Sequence, residues 1–72
     1  MFDIHIFGQR VNQLRKEKGV TQTALSQLLG ITSTQMSDIE HGNSATTFAR
    51  LCILCDYFGV SADYLLGRTD QL

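Results

Sequence analysis

The stretch "QTALSQLLGITSTQMSDIEH", Gln22 to His41, decides how this chain is read. It contains two short segments with apolar residues at helical spacing, separated only by Gly30, Ile31 and Thr32. Thr32 to Gln35 fits a capping box, in which the threonine hydroxyl meets the N3 amide and the glutamine side chain reaches back to the cap. Gly30 stands where a helix end takes positive φ, which glycine does at low steric cost. So short a connection makes two helices cross steeply and share one apolar patch. Leu25, Leu29, Ile31, Met36 and Ile39 are the residues that supply it.

At about 100° per residue, the second segment turns Met36, Ile39 and Glu40 to one side. Thr34, Ser37, Asp38 and His41 fall on the other, with Ser33 at the exposed N-terminal end. The first segment is capped by Thr21, and Ala24, Leu25, Leu28 and Leu29 are expected to form its inner face.

Working outward, Gly19, Gly42, Gly59 and Gly67 each follow a helix-periodic segment and divide the rest of the chain. Helix 1 runs from about Asp3 or Phe7 to Lys18, burying Phe7, Val11 and Leu14, with Lys16 and Lys18 well placed in its last turn. The start "FDIHIF" extends this helix with Asp3 as cap, the alternative being a short arm that pairs across a dimer. Helix 4, about Thr47 to Phe58, is expected to bury Phe48, Leu51, Leu54, Cys55 and Phe58. Helix 5 is short, with Ser61 as cap, Asp63 near its dipole, and Tyr64 and Leu65 turned inward. The chain has no proline and no low-complexity segment. The fold expected is all-α, a compact five-helix bundle over a single domain, 1–72.

Seventy-two residues, 43% of them apolar, place the chain near the lower size limit for a self-sufficient core. No apolar run approaches the roughly 18 residues of a membrane span, and no signal segment opens the chain, so the expected location is the cytoplasm. No nucleophile and base arrangement, paired carboxylates or phosphate-binding glycine loop is present, and the chain is too short for a substrate pocket. An enzyme is excluded, and no cofactor, metal or small-molecule ligand is expected. Cys52 and Cys55 form a C-x-x-C, but both lie mid-helix and the histidines are far along the chain, so both are assigned to core packing.

With these residues in view, the chain resembles the small Cro and phage-repressor type helix-turn-helix domains of the xenobiotic-response-element family. "NQLRKEKGVTQTALSQLLGI" and "DYFGVSADYLLGRTD" carry the resemblance together with the Gln22 to His41 run, so it covers nearly the whole sequence. Ser26 departs from it, standing where the family generally has alanine at the crowded crossing. The resemblance implies a phage-repressor type fold with helices 2 and 3 as the helix-turn-helix and helix 3 in the major groove of double-stranded DNA; phage repressors and Cro are the standard examples of this docking. It implies base-edge contacts by Ser33, Thr34, Ser37 and Asp38, and a phosphate contact by Gln22 that also braces the reading residues. Gln35, His41, Asn43 and Ser44, polar and near the ends of helix 3, are backbone-contact candidates.

Glu40, on the inner side, needs a partner. The resemblance and the helix geometry both suggest Arg15 on helix 1, as a partly buried structural ion pair. Ile53 and Tyr57, four apart on what should be the outer face of helix 4, make with Leu66 or Leu72 a candidate homodimer patch. The leading expectation is a transcriptional regulator, a repressor that reads a pseudo-palindromic operator as a homodimer. The formal charge of −1 and pI of about 6.0 leave a second reading open, because nucleic-acid modules more often have a pI above roughly 9. That alternative is a protein-interaction module, such as an antitoxin or accessory subunit with weak DNA affinity.

Overall fold

Short polar side chains start each helix. In the computed structural model, which describes residues 2–72, Asp3, Thr21, Thr32, Thr47 and Ser61 each accept a first-turn backbone N–H. They open α1 (Ile4–Lys18), α2 (Gln22–Leu29), α3 (Ser33–Glu40), α4 (Phe48–Phe58) and α5 (Ala62–Leu65). These are the five helices among the described residues, and no strand is found there. Asp3 therefore extends α1, and "FDIHIF" is not a free arm. Thr32 and Gln35 form the expected reciprocal capping box. None of the helices is long and apolar enough to cross a membrane.

All five helices meet at one core, composed of Phe7, Val11, Leu25, Leu29, Met36, Ile39, Leu54, Val60 and Leu65. Leu14, Ile31, Leu51, Cys55, Phe58 and Tyr64 pack half-buried against it. Two inner faces differ from the sequence expectation. On α2, Leu28 is 44% exposed and Ala24 is also exposed, whereas Ser26 is buried. The helix is rotated toward Ser26, whose hydroxyl donates to the Thr23 carbonyl at 2.7 Å and so enters the crossing with its polarity satisfied. On α4 the buried stripe is centred on Leu54, Leu51 and Phe58. Phe48 lies off that stripe in the first turn and is 87% exposed. Cys52, on the same outer flank, is exposed as well, so only Cys55 contributes to packing.

Gly8, in the second turn of α1, is buried against the C-terminal end of α3. A Cβ there would overlap the Ile39 carbonyl oxygen and stand 2.8 Å from that of Glu40. The helices touch backbone to backbone at this point, which sets the tilt of α3 on the bundle.

Arg10 ties the C-terminal residues to α1. Its guanidinium donates to the Tyr64 and Thr69 carbonyls and to Asp70, and lies 4.2 Å from the centre of the Tyr64 ring. Asp70 is fully solvated, so the two carbonyls carry the energy of this latch. Arg10→Ala is expected to cost about 2 kcal/mol and lower the melting temperature by about 8–16 °C. Amide exchange in α5 and in residues 67–70 should accelerate with it. Unchanged exchange there would mean that the latch does not hold the segment.

Candidate nucleic-acid interface

Only the loop Gly30–Ile31 and the cap Thr32 join α2 to α3, and the Ile31 amide donates to the Ser26 carbonyl at 3.0 Å to close the turn. Met36 and Ile39 enter the core, so the rest of α3 is left on the surface. Ser33, Thr34 and Gln35 are exposed, and Ser37 and Asp38 are half-buried. Eight residues of helix span about 12 Å, close to the width of the DNA major groove. Ser33 and Thr34 at the N-terminal end are the most open. Gln35 has its carbonyl oxygen committed to the Thr32 amide, which leaves its NH2 group outward.

The C-terminal end of α3 is organised by two histidine contacts. His41 Nδ1 lies 2.7 Å from the Ser37 carbonyl oxygen and 3.2 Å from its hydroxyl. A carbonyl only accepts, so Nδ1 carries the proton, Nε2 remains available on this exposed side chain, and the Ser37 hydroxyl keeps its own proton to donate. The Asn43 amide donates to the Asp38 carbonyl at 2.8 Å, which places Asn43, exposed, and Ser44, half-buried, directly beyond the helix end. The chain is not spread further because Gly42 is packed against His5 of α1.

Glu40 fixes the whole element from behind. Its carboxylate is nearly inaccessible and accepts from Arg15 Nε at 2.6 Å and Nη2 at 3.1 Å, from Asn12 Nδ2 at 2.7 Å, and from Gln22 Nε2 at 3.0 Å. Arg15 Nη1 also donates to the Val20 carbonyl at 2.9 Å. One buried anion thus joins α1, α2 and the end of α3, and the expected Arg15–Glu40 pair is present. Asn12 was not foreseen from the sequence; its place on α1, three residues before Arg15, is the signal that would have found it. Gln22 points into this network, and one N–H of its amide remains for an outside group.

Burial pushes the Glu40 carboxyl pKa up, but hydrogen bonds from Arg15, Gln22 and Asn12 and the charge of Arg15 outweigh it, so the net shift is downward from the ordinary 4.5. A group depressed in the folded state stabilises fully above its unfolded value, and that stabilisation is lost as pH falls through the folded value. Denaturant midpoints should therefore hold steady for this group above about pH 4.5 and decline below it. In Glu40→Gln that part of the decline should be missing, and an acid limb identical to the wild-type one would remove Glu40 as its source.

The cations are largely committed to the protein itself. Arg10 and Arg15 are bound as described, Arg50 Nε donates to the Leu29 carbonyl at 3.1 Å, and Arg68 pairs with Asp63 at 3.3 Å. Lys18 lies over the Tyr57 ring at 4.8 Å. Tyr57 is half-buried, packed on the core and edge-on to Phe58. It is therefore not on the outer face of α4 as the sequence spacing suggested. Ile53 sits at 36% exposure on the margin of that face, and Leu66 is half-buried near the start of α4.

Comparison with known proteins agrees with this architecture. Residues 8–71 match a family model described as a helix-turn-helix domain. RamB of Mycobacterium tuberculosis, an HTH-type transcriptional regulator, is 40% identical over 63 residues that span 88% of this chain and 13% of RamB. Among solved structures, the P22 c2 repressor in complex with a synthetic operator superposes with a TM-score of 0.77 at 28% identity, over 83% of this chain and 91% of that one. SinR, a master regulator for biofilm formation, in complex with DNA, gives 0.72 at 31% identity over 83% and 97%. The five capped helices, the tight α2–α3 crossing and these matches make the chain a member of the helix-turn-helix domain family, with the all-α fold of the phage-repressor type.

Proposed function

We propose that this single domain is a sequence-specific double-stranded DNA-binding transcriptional regulator acting in the cytoplasm, a repressor that places α3 in the major groove and works as a homodimer on a pseudo-palindromic operator. The observation that carries the reading is the outward row on α3, short and polar, held from behind by the Glu40 network. Ser33, Thr34, Ser37 and Asp38 contact base edges. Hydroxyls accept or donate to several bases, and an aspartate accepts from cytosine N4. Gln22, Gln35, His41, Asn43 and Ser44 contact the sugar–phosphate backbone. The first-turn amides of α2 and α3 add donors where the helix dipole favours an anion. The RamB and SinR names and the operator complex of the P22 c2 repressor support DNA as the partner.

The test is selection of the purified protein on a random pool of duplexes at about 50 mM salt, where backbone attraction is strong. Enrichment of a two-fold symmetric motif is expected, with preference relaxed at one position in Thr34→Ala and at another in Asp38→Ala. Each lost base contact should cost about 1–3 kcal/mol of discrimination. No enriched motif from the folded protein would refute the regulator reading.

A second reading, a protein-interaction module such as an antitoxin or accessory subunit, is favoured by the engagement of all four arginines within the protein. Few free cations release few counterions. If the DNA reading holds, the slope of log K against log salt should be shallow, about −2 to −4 for the dimer, since it scales with the phosphates neutralised. A slope near −10 would show that the cations leave their internal partners.

A further inference from the structure

Between Lys18 and Arg50 the chain has no lysine or arginine, so α2, α3 and the segment after them carry no permanent side-chain cation. His41 is the one residue of that stretch that can gain a positive charge near neutral pH. It caps the C-terminal end of α3, is exposed, and stands where the proposed function puts a phosphate. What its ring can offer there is decided by the atom on its other side.

Nδ1 lies 2.7 Å from the Ser37 carbonyl oxygen, too close for two lone pairs to face each other, so Nδ1 holds the proton. In the neutral ring Nε2 is then a bare acceptor, and it has no partner among the described residues. Phosphate oxygens are acceptors too, and a neutral His41 gives them no donor. Moving the proton to Nε2 would turn the Nδ1 lone pair against the carbonyl. Only the imidazolium donates at both ends. The Ser37 carbonyl is also one of the last four of α3, where the helix dipole favours a cation.

We infer that His41 contacts phosphate only as the imidazolium, so that docking of α3 takes up one proton per protomer and strengthens as pH falls. The inference rests on the DNA reading of the proposed function and adds its regulation by pH. Three other titratable groups surround the ring. Asp38, one turn back on α3, favours the charged form. Glu40 is turned inward and neutralised by Arg15. His5 of α1, packed against the adjoining Gly42, is a second imidazole and has to be separated from the first by substitution.

Fluorescence anisotropy with the duplex enriched in the selection reads the affinity at about pH 8 and about pH 5.5, a range that crosses the ordinary imidazole value and stays above that of carboxylates. An opposite charge in contact favours an imidazolium about tenfold, so affinity should rise about five- to tenfold per protomer at the lower pH. The slope of log K against log salt should steepen by about 0.9 per protomer, because one more phosphate is neutralised. His41→Gln has an amide that donates at either pH, and should lose both the rise and the steepening. His5→Gln should keep both. In the free protein at about pH 8, nitrogen–proton correlation spectra should show His41 as the Nδ1–H tautomer. Equal affinity at the two pH values, a rise retained in His41→Gln, or an Nε2–H tautomer would overturn the inference. Tight binding that ignores pH leaves the regulator reading intact, whereas a folded protein that binds no duplex at either pH removes that reading and this inference with it.

Discussion

Glu40→Ala is expected to lower stability by about 3–5 kcal/mol, the cost of removing one member of a buried, hydrogen-bonded pair. At about 4–8 °C per kcal/mol for a domain of this size, the melting temperature should fall by about 12 °C or more. A chain of 72 residues has a total stability of roughly 4–11 kcal/mol, so the variant loses from about a quarter of it to the whole. The size follows from what is left behind. Arg15 loses its buried counter-charge, and Asn12 and Gln22 lose their acceptor. The same buried pair need not add net stability over an apolar replacement. Changing Arg15 and Glu40 together to methionine should therefore recover part of the loss, with Asn12 and Gln22 still unsatisfied. Urea titration of the single and double variants separates these cases. A Glu40→Ala midpoint within experimental error of the wild type would show that the network does not hold the bundle.

Gly8→Ala should be destabilising by about 1–3 kcal/mol, the usual cost of forcing extra volume into a packed contact. This sign is opposite to the general one. Alanine in a helix interior is favoured over glycine by about 1 kcal/mol, and on an open helix face the exchange would raise the melting temperature. Here the new methyl group meets the carbonyl oxygens of Ile39 and Glu40, which are backbone and cannot rotate aside. The helices must part, and α3 shifts with its outward row. Thermal denaturation followed by circular dichroism reads the sign directly. A raised melting temperature would mean that α1 and α3 do not approach as closely as described.

The two variants mark different levels of legibility. Arg15 with Glu40 was foreseen because an inward acid on an amphipathic helix demands a partner, and the family resemblance together with the helix geometry pointed to Arg15. Gly8 was not, because a glycine inside a helix has no local signature of what approaches it. Phe48 misled for a related reason. Its hydrophobicity suggested burial, but it lies in the first turn of α4, off the Leu51–Leu54–Phe58 stripe, and stays 87% exposed. Leu28 and Ala24 were assigned inward from their helical spacing beside Leu25 and Leu29, but both are exposed. The crossing holds Ser26, where the resemblance had put it, and its hydroxyl bonds back to Thr23. Tyr57 looked exposed by spacing, yet Lys18 from the end of α1 folds across it.

What the sequence by itself determined is the set of helices and where they stop. Caps and turn glycines act within three or four residues, so Thr21, Thr32, Thr47, Ser61 and Gly30 specify their elements before any tertiary contact forms. The outward row of α3 followed in the same way, from the angular spacing of Met36 and Ile39. Only the tertiary structure decided which partners meet across 18 to 60 positions of chain, as Gln22 meets Glu40 and Arg10 meets Asp70. It also decided which apolar side chains found no cover. Those outcomes depend on the rotation and tilt of whole helices, and these are set by the sum of many contacts rather than by any neighbour in the sequence.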